Sequence, residues 1–281
     1  MEEISRLAEK ILQAKFLVAF AGAGLSQESG IPTFRGDEGI WKKYSPIIFG
    51  NLFGLAFAFV FMPRKFREFV FSSLSTFTRA QPNPAHLALG ELFQAGILKA
   101  VITQNIDDLE RRAGVGKLVQ LHGNIYRLRC LRCKERFEIS LSELEEFLSQ
   151  IRAIKSQREL IKRAREFARC PRCSSWSRPD IVFFGEGLNS KDYYSAIHLA
   201  QSSDLFLILG TSGVVQPAGS IPLYARRAGA LLVEINPEPT ALSGLCDFTI
   251  RSSCAFALSR TLEEIKKLAP ERFAHSPAQS G

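Results

Sequence analysis

Apolar residues in this chain fall in short unbroken runs that end in glycine or in a cluster of polar residues. "KFLVAFAGAG" (15–24), "KAVITQN" (99–105), "KLVQLHG" (117–123), "DLFLILGTS" (204–212), "ALLVEINPE" (230–238) and "DFTI" (247–250) are of this kind. Other stretches repeat their apolar residues every three or four positions: "HLALGELFQAG" (86–96), "YYSAIHLAQ" (193–201) and "IPLYARRAG" (221–229), after an opening helix over 7–12. A strand that is apolar on both faces must be covered on both faces. The pattern therefore predicts an α/β fold, a parallel sheet with helices on each side. Ligands of such sheets bind beyond the carboxyl ends of the strands. The polar tips collect there: Gly22-Ala23-Gly24, Gln104-Asn105 with Asp107, His122-Gly123, Gly210-Thr211-Ser212, and Asn236.

Two stretches break the alternation. Within 36–84 the run Ile47–Met62 is apolar apart from Asn51 and glycines, and lies between Pro46 and Pro63. As one helix it would measure roughly 24 Å, short of the ~30 Å of a bilayer's hydrocarbon. It reads as a helix buried in the core, with a ligand or acyl-chain pocket as its functional version and membrane-surface contact as the lesser alternative. No membrane span is expected. Within 126–179, Ser140 and Glu143 form a capping-box pattern, and Leu141, Leu144, Leu148 and Ile151 follow at helical spacing. The expected organisation is a large domain from 1–35, 85–125 and 180–281, a helical insertion at 36–84, and a smaller lobe at 126–179.

That lobe carries the strongest local signal. "CLRC" and "CPRC" place Cys130, Cys133, Cys170 and Cys173 in two C-x-x-C knuckles. Two knuckles supply the four thiolates of a tetrahedral structural zinc site, whereas a redox pair would need only one. Six cysteines are too few for a disulfide scaffold in 281 residues, and the N-terminus has no secretory pattern, so a reducing compartment, the cytoplasm, is expected. The net charge of +8 is concentrated here, with 14 Lys/Arg against 7 Glu between Arg127 and Arg178. A solvated helix face accounts for such a surplus, and so does attraction to an acidic partner such as nucleic acid.

His122 lies eight residues before the first knuckle. Four thiolates close the zinc site without it, and a strand tip suits a general base, although a satisfied polar residue is the plainer reading. "FAGAGLSQESG" is a strand followed by Gly-x-Gly, a turn that lets backbone approach a pyrophosphate. The dinucleotide fingerprint's third glycine is replaced by Gln27, and no acidic residue follows where a dehydrogenase would hold ribose. In "TQNIDDLERRAG", Asn105 or Asp107 could cap a helix or recognise a small polar ligand.

In order along the chain, "GAGLSQESGIPTFRG", "TQNID", "LHGN", the cysteine pairs, "RPDIVFFGE", "GTSGVVQPA" and "EINPE" resemble the sirtuin family of NAD-dependent protein deacylases, the archaeal and bacterial-type members above all. The resemblance implies a Rossmann-like large domain and a zinc-ribbon and helical lobe with the cleft between them. NAD is then consumed: nicotinamide leaves, the acyl group of an acyl-lysine passes to ADP-ribose, and His122 is the base. It assigns Asn105 and Asp107 to the reacting ribose and carboxamide. NAD contacts fall to Gly22, Ala23, Gly24, Thr33, Phe34, Arg35, Trp41, Gln104, Gly210, Thr211, Ser212, Asn236 and the chain at Cys254. Val182, Phe184, Gly185, Glu186 and Val215 would hold the substrate peptide as an added strand. Members that remove acidic acyl groups carry Tyr-x-x-Arg where this chain has Val70 and Ser73, so neutral acyl groups are expected, with long chains suggested by the apolar 46–71 segment. Mono-ADP-ribosyl transfer and a zinc-ribbon nucleic-acid binder are the rival readings, and basic chromatin proteins are candidate partners.

Overall fold

The computed structural model describes residues 2–32, 44–154 and 156–274. Nine strands are formed among them: β1 (Leu17–Ala21), β2 (Leu98–Thr103), β3 (Leu118–Gln120), β4 (Gly123–Cys130), β5 (Arg136–Glu138), β6 (Ser177–Ile181), β7 (Leu205–Leu209), β8 (Leu231–Ile235) and β9 (Phe248–Ile250). Six of them make one parallel sheet in the order β3-β2-β1-β7-β8-β9. β1 and β7 are buried along their whole length, as strands apolar on both faces must be. One face packs on helices Glu2–Gln13, Pro84–Gln94 and Cys254–Leu268, through Leu7, Ile11, Leu89, Leu92, Leu258 and Ile265. The other packs on Ser190–Ser202 and Ile221–Arg227, through Ala196, Leu199, Ile221 and Ala225. The α/β sandwich expected from the sequence is the one that forms.

A second sheet, β5-β4-β6, is antiparallel and carries the cysteines. Its helix Leu141–Ala153 starts with the expected capping box: the Glu143 N–H donates to Ser140 Oγ, and the Ser140 N–H to the Glu143 carboxylate. The two segments that interrupt the alternation pack on one another. Leu74 and Phe77 of the helix Pro63–Arg79 join Tyr126, Leu128 and Leu144 in one cluster, and the Tyr126 hydroxyl donates to the Phe77 carbonyl at 2.9 Å.

The run Ile47–Met62 is not the single buried helix expected. It breaks into a short turn of helix, Pro46–Phe49, and a helix Leu52–Phe61, separated at Gly50-Asn51. Asn51 caps the second helix by accepting from the Gly54 N–H at 2.8 Å. One side of that helix packs on Tyr44, Phe49 and Phe69, and the other faces solvent. Hydropathy alone could not reveal this, because the helix has no polar residue to mark its outer face.

Candidate active site

In the sheet order, β1 and β7 are neighbours and the connections depart from them in opposite directions. This is the switch point at which an open α/β sheet leaves a crevice beyond its strand ends. Two tips are pressed together there. The Gly22 N–H donates to the Leu209 carbonyl at 2.9 Å and the Gly24 N–H to Gly210 at 2.8 Å. A Cβ at Gly22 would lie 2.6 Å from the Thr211 Cβ, and one at Gly24 would lie 2.8 Å from the Gly210 backbone. Gly22, Ala23 and Gly24 are expected to contact NAD, but they do not all have an amide to offer. Both glycines spend their N–H groups on β7, and their lack of side chain permits that approach. The Ala23 N–H donates to no described residue.

The floor of the crevice is polar and almost wholly paired. Asn105 is buried and donates through Nδ2 to the Gly22 carbonyl and to Ser26 Oγ, both at 3.1 Å. His86 accepts from the Asn83 N–H at Nδ1, so its proton sits on Nε2 and points at Ser26 Oγ, 3.3 Å away. Burial, helped by Arg112, holds the pKa of His86 at about 4, so the ring is neutral. Ser26 lies close enough to Asp107 to favour its ionised form, and the Asp107 carboxylate accepts from the Leu109 N–H at 3.0 Å. Asp107 thus serves the local turn, as the capping alternative required, and faces the site as well. Burial raises its pKa against both influences.

Beneath Asp107 lies Glu110, fully buried, with no hydrogen bond formed at either carboxyl oxygen. Burial first, and the charge of Asp107 second, push its pKa up to about 8, and the nearby Thr103 hydroxyl offsets only part of this. Glu110 is a neutral acid at pH 7, one of two buried carboxyls that cannot both ionise cheaply. His86, Asp107 and Glu110 bring ligand atoms within 4.8 Å of each other. Both ring nitrogens of His86 are already engaged, with Asn83 and Ser26, so the ring has no nitrogen to spare for a metal. Sequence reading assigned no role to Ser26, His86 or Glu110. Each sits in a quoted motif, but nothing local shows that three segments meet.

His122 stands in the turn between β3 and β4. Its Nδ1 lies 2.8 Å from the Gln104 carbonyl, a group that can only accept, so Nδ1 carries the proton and Nε2 keeps its lone pair. Burial lowers the pKa of the ring, and the Gln104 bond opposes this in part. The result is a neutral imidazole with a fixed tautomer, the form a general base needs. The Gln104 side chain donates to Thr211 Oγ1 at 2.8 Å, tying β2 to the β7 tip.

The next residue fastens the site to the following loop. Gly123 has φ +83°, and a Cβ on it would lie 1.9 Å from the Asp180 carbonyl. The Val182 N–H then donates to the His122 carbonyl, and the Phe184 N–H to Gly50, each at 2.9 Å. Gly185 turns the loop with φ +89°. Glu186 is engaged with Arg178 at 2.9 Å and with the Phe183 N–H, so it shapes the loop instead of offering a free carboxylate. Across the site Val215 is half-buried and accepts from the Gly219 N–H, while Ser212 is exposed beside buried Thr211. Asn236 donates to the Thr211 carbonyl at 3.3 Å. The Cys254 side chain is buried against the Ile235 carbonyl, leaving only its backbone for a ligand. Thr33, Phe34, Arg35 and Trp41 lie outside the described residues.

The cysteines form a separate centre. Cys130 and Cys173 sulfurs are 3.5 Å apart, Cys133 and Cys170 3.6 Å, and all four lie within 4.8 Å of one another. Sulfurs at ~2.3 Å from a shared zinc sit roughly 3.8 Å apart, while a disulfide would bring them to about 2.05 Å. The two knuckles share one geometry. The first cysteine's N–H donates to the carbonyl five residues on (Cys130 to Glu135, Cys170 to Ser175), and the residue after the second cysteine is left-handed (Lys134 φ 62°, Ser174 φ 58°). The four thiols fit a structural zinc site, which His122 does not join.

A crevice floored by Asn105 and Asp107, a fixed neutral histidine and a remote tetrathiolate centre define the class: the chain belongs to the Sir2 family, which it matches over residues 22–217. Among its relatives, the NAD-dependent protein deacylase of Pyrococcus furiosus is 42% identical over 95% of this chain and 98% of that one. The NAD-dependent protein deacylase of Pyrococcus abyssi is 40% identical over 94% and 99%. A Sir2 homologue solved with NAD superposes with a TM-score of 0.76 at 34% identity, over 94% of both chains. A Sir2 enzyme with a deacetylated p53 peptide and 3′-O-acetyl ADP-ribose gives 0.75 at 32%, over 93% of this chain and 98% of that one.

Proposed function

We propose that this protein is an NAD-dependent protein lysine deacylase that passes the acyl group to ADP-ribose and releases nicotinamide. The observation that carries the reading is His122, held neutral by burial with Nδ1–H on Gln104 and Nε2 without a partner among the described residues, its carbonyl accepting from the loop at Val182. NAD, when bound, supplies the ribose carbon that loses nicotinamide and takes up the acyl oxygen. Asn105 keeps its carbonyl oxygen and Asp107 its second carboxylate oxygen for the ribose and carboxamide. Ala23, Thr211, Ser212 and Asn236 serve the phosphates and the adenosine side. His122 Nε2 removes the proton of a ribose hydroxyl. The peptide lies as an extra strand between residues 182–186 and Val215, where backbone bonds give affinity with little sequence preference. Zinc, held by the four cysteines, fixes the lobe's fold and takes no part in the chemistry. The deacylase relatives and the acetyl-ADP-ribose complex support deacylation over ADP-ribosyl transfer to protein or a nucleic-acid-binding zinc ribbon.

Neutral acyl groups suit the site, since Val70 and Ser73 offer no cation for an acidic one. The cluster Tyr44, Phe49 and Ala58, joined to the peptide loop through Gly50, supports acceptance of long chains. Myristoyl-lysine peptides turned over at under about 1% of acetyl efficiency, some 2.7 kcal/mol, would dismiss that part. On the zinc lobe a basic groove of about 1120 Å³, bordered by Arg158, Lys162, Arg165, Arg169 and exposed Trp176, is the place for contact with nucleic acid near basic chromatin substrates. Salt-insensitive binding, or none, would remove it. None of the six cysteines is joined in a disulfide, which accords with the cytoplasm. The deciding experiment is mass spectrometry of an acetyl-lysine peptide with NAD, wild type against His122→Ala. Free lysine with O-acetyl-ADP-ribose, lost in the variant, is expected, and an intact acetyl-lysine peptide with wild type would sink the proposal.

A further inference from the structure

The helix Leu52–Phe61 contains no charged residue, and its two sides meet different surroundings. Leu55, Ala58 and Phe59 face the protein, where Phe59 packs edge-on against Phe66 with ring centroids 5.4 Å apart. Leu52, Phe53, Ala56, Phe57, Val60 and Phe61 are exposed. They form two adjacent i, i+4 ridges, hence one continuous stripe. Phe53 is 90% exposed, Phe61 69%, and Ile47 of the preceding turn 79%. The stripe is ordered rather than frayed: Asn51 caps the helix, the Phe57 and Phe61 rings meet at a tilt with centroids 4.8 Å apart, and Gln157 donates to the Phe59 carbonyl. A monomer in water rarely presents so contiguous an apolar face without an occupant.

The charge around the stripe indicates which occupant. No Asp or Glu occurs between Glu38 and Glu68, and the segment is bracketed by Lys42-Lys43 before it and Arg64-Lys65 after it. Arg64 and Lys65 are exposed and make no ion pair among the described residues. Two copies stacked on this face would bring these like charges together. A protein partner would need polar groups for orientation, and the stripe offers none to meet them. Phenylalanines between cationic flanks match the apolar boundary and anionic headgroups of a bilayer. The helix has ten residues, and no helix among the described residues is long and apolar enough to cross a membrane. We propose that the Leu52–Phe61 face docks the protein, in the plane of the interface, on anionic lipid membranes. The exposed Phe184 ring contacts Gly50 at the edge of the same segment, so docking would set the peptide loop close to the lipid surface. Docking in this way requires nothing of the catalytic reading.

The test is co-sedimentation of the full chain with vesicles of phosphatidylcholine, alone or mixed with phosphatidylglycerol. Binding to the mixed vesicles, weakened by salt, is expected. Phe53→Ser/Phe57→Ser and, separately, Arg64→Glu/Lys65→Glu should each weaken it by at least about tenfold. Circular dichroism and zinc content confirm that each variant is folded. Phe57→Trp, which keeps an aromatic ring, should shift its emission to the blue on mixed vesicles. Failure to sediment with either vesicle overturns the proposal, as does binding that both double variants retain. Equal binding to neutral vesicles, unaffected by the charge reversal, overturns the anionic specificity. A dimer in light scattering that the serine variant abolishes, without vesicle binding, assigns the face to a second copy instead.

Discussion

The strand Gly123–Cys130 has a different kind of site at each end, roughly 25 Å apart. At its far end Cys130 belongs to a centre whose parts are two short, similar turns. At its near end His122 belongs to a centre whose parts come from five strand tips, and its character depends on the Gln104 carbonyl just past β2, which no local pattern specifies. Metal sites of the first kind carry their geometry within each knuckle. Catalytic sites of the second kind borrow theirs from the sheet.

Removing a thiolate should produce the largest effect. Cys130→Ala or Cys173→Ala is expected to lose zinc and unfold the lobe, since structural zinc contributes on the order of 10 kcal/mol in small domains. Activity would vanish with it. A soluble, zinc-free variant with full turnover would break the comparison at the cysteine end. His122→Ala comes next. Activity should fall by about 10²–10⁴-fold while zinc content and melting temperature stay near wild type, the size expected for a lost general base. Loss of zinc in this variant would mean that the two ends are not independent.

Glu110→Gln probes the floor. The pKa of Glu110 is raised in the folded protein to about 8 from an ordinary 4.5. Between those values the native state holds a proton that the unfolded chain releases, so the penalty grows as pH rises through the window and is complete above pH 8. Wild type should therefore lose stability, on the order of a few kcal/mol, from acid to mildly alkaline pH. Glu110→Gln, neutral at every pH, should flatten that slope in denaturant titrations. A wild-type slope identical to the variant's would show that Glu110 is not the source. The smallest effect is a limb in the rate profile. Burial lowers the pKa of His122 below its ordinary 6.5, so the acid limb of kcat/KM, where the base becomes protonated, should be centred below pH 6.5. A limb centred at pH 7 or above would contradict a desolvated ring.

The same division decides what could be read before any coordinates. The sheet, its strand tips and the cysteine quartet were legible because each depends on local rules: unbroken apolar runs, glycine turns, C-x-x-C spacing, the capping box at Ser140. The helix Leu52–Phe61 was misread as buried because hydropathy reports how apolar a segment is and not which side meets protein. Ser26 and His86 stayed hidden because hydrogen bonds across 60 or more residues of chain leave no spacing to find, and no role could be read for Glu110 because its neutral state comes from burial beside Asp107.

The sequence by itself determined that this chain builds a covered parallel sheet, a four-thiol centre and a row of polar groups at the strand ends. Local chain stiffness, side-chain alternation and ligand chemistry suffice for these. Only the tertiary structure decided that Gly22 and Gly24 serve contact with β7, that Glu186 belongs to Arg178, that Glu110 is kept neutral beneath Asp107, and that the proton of His122 sits on Nδ1. Each depends on the dielectric and the hydrogen-bond partner at one point in space, which the packing of distant segments creates.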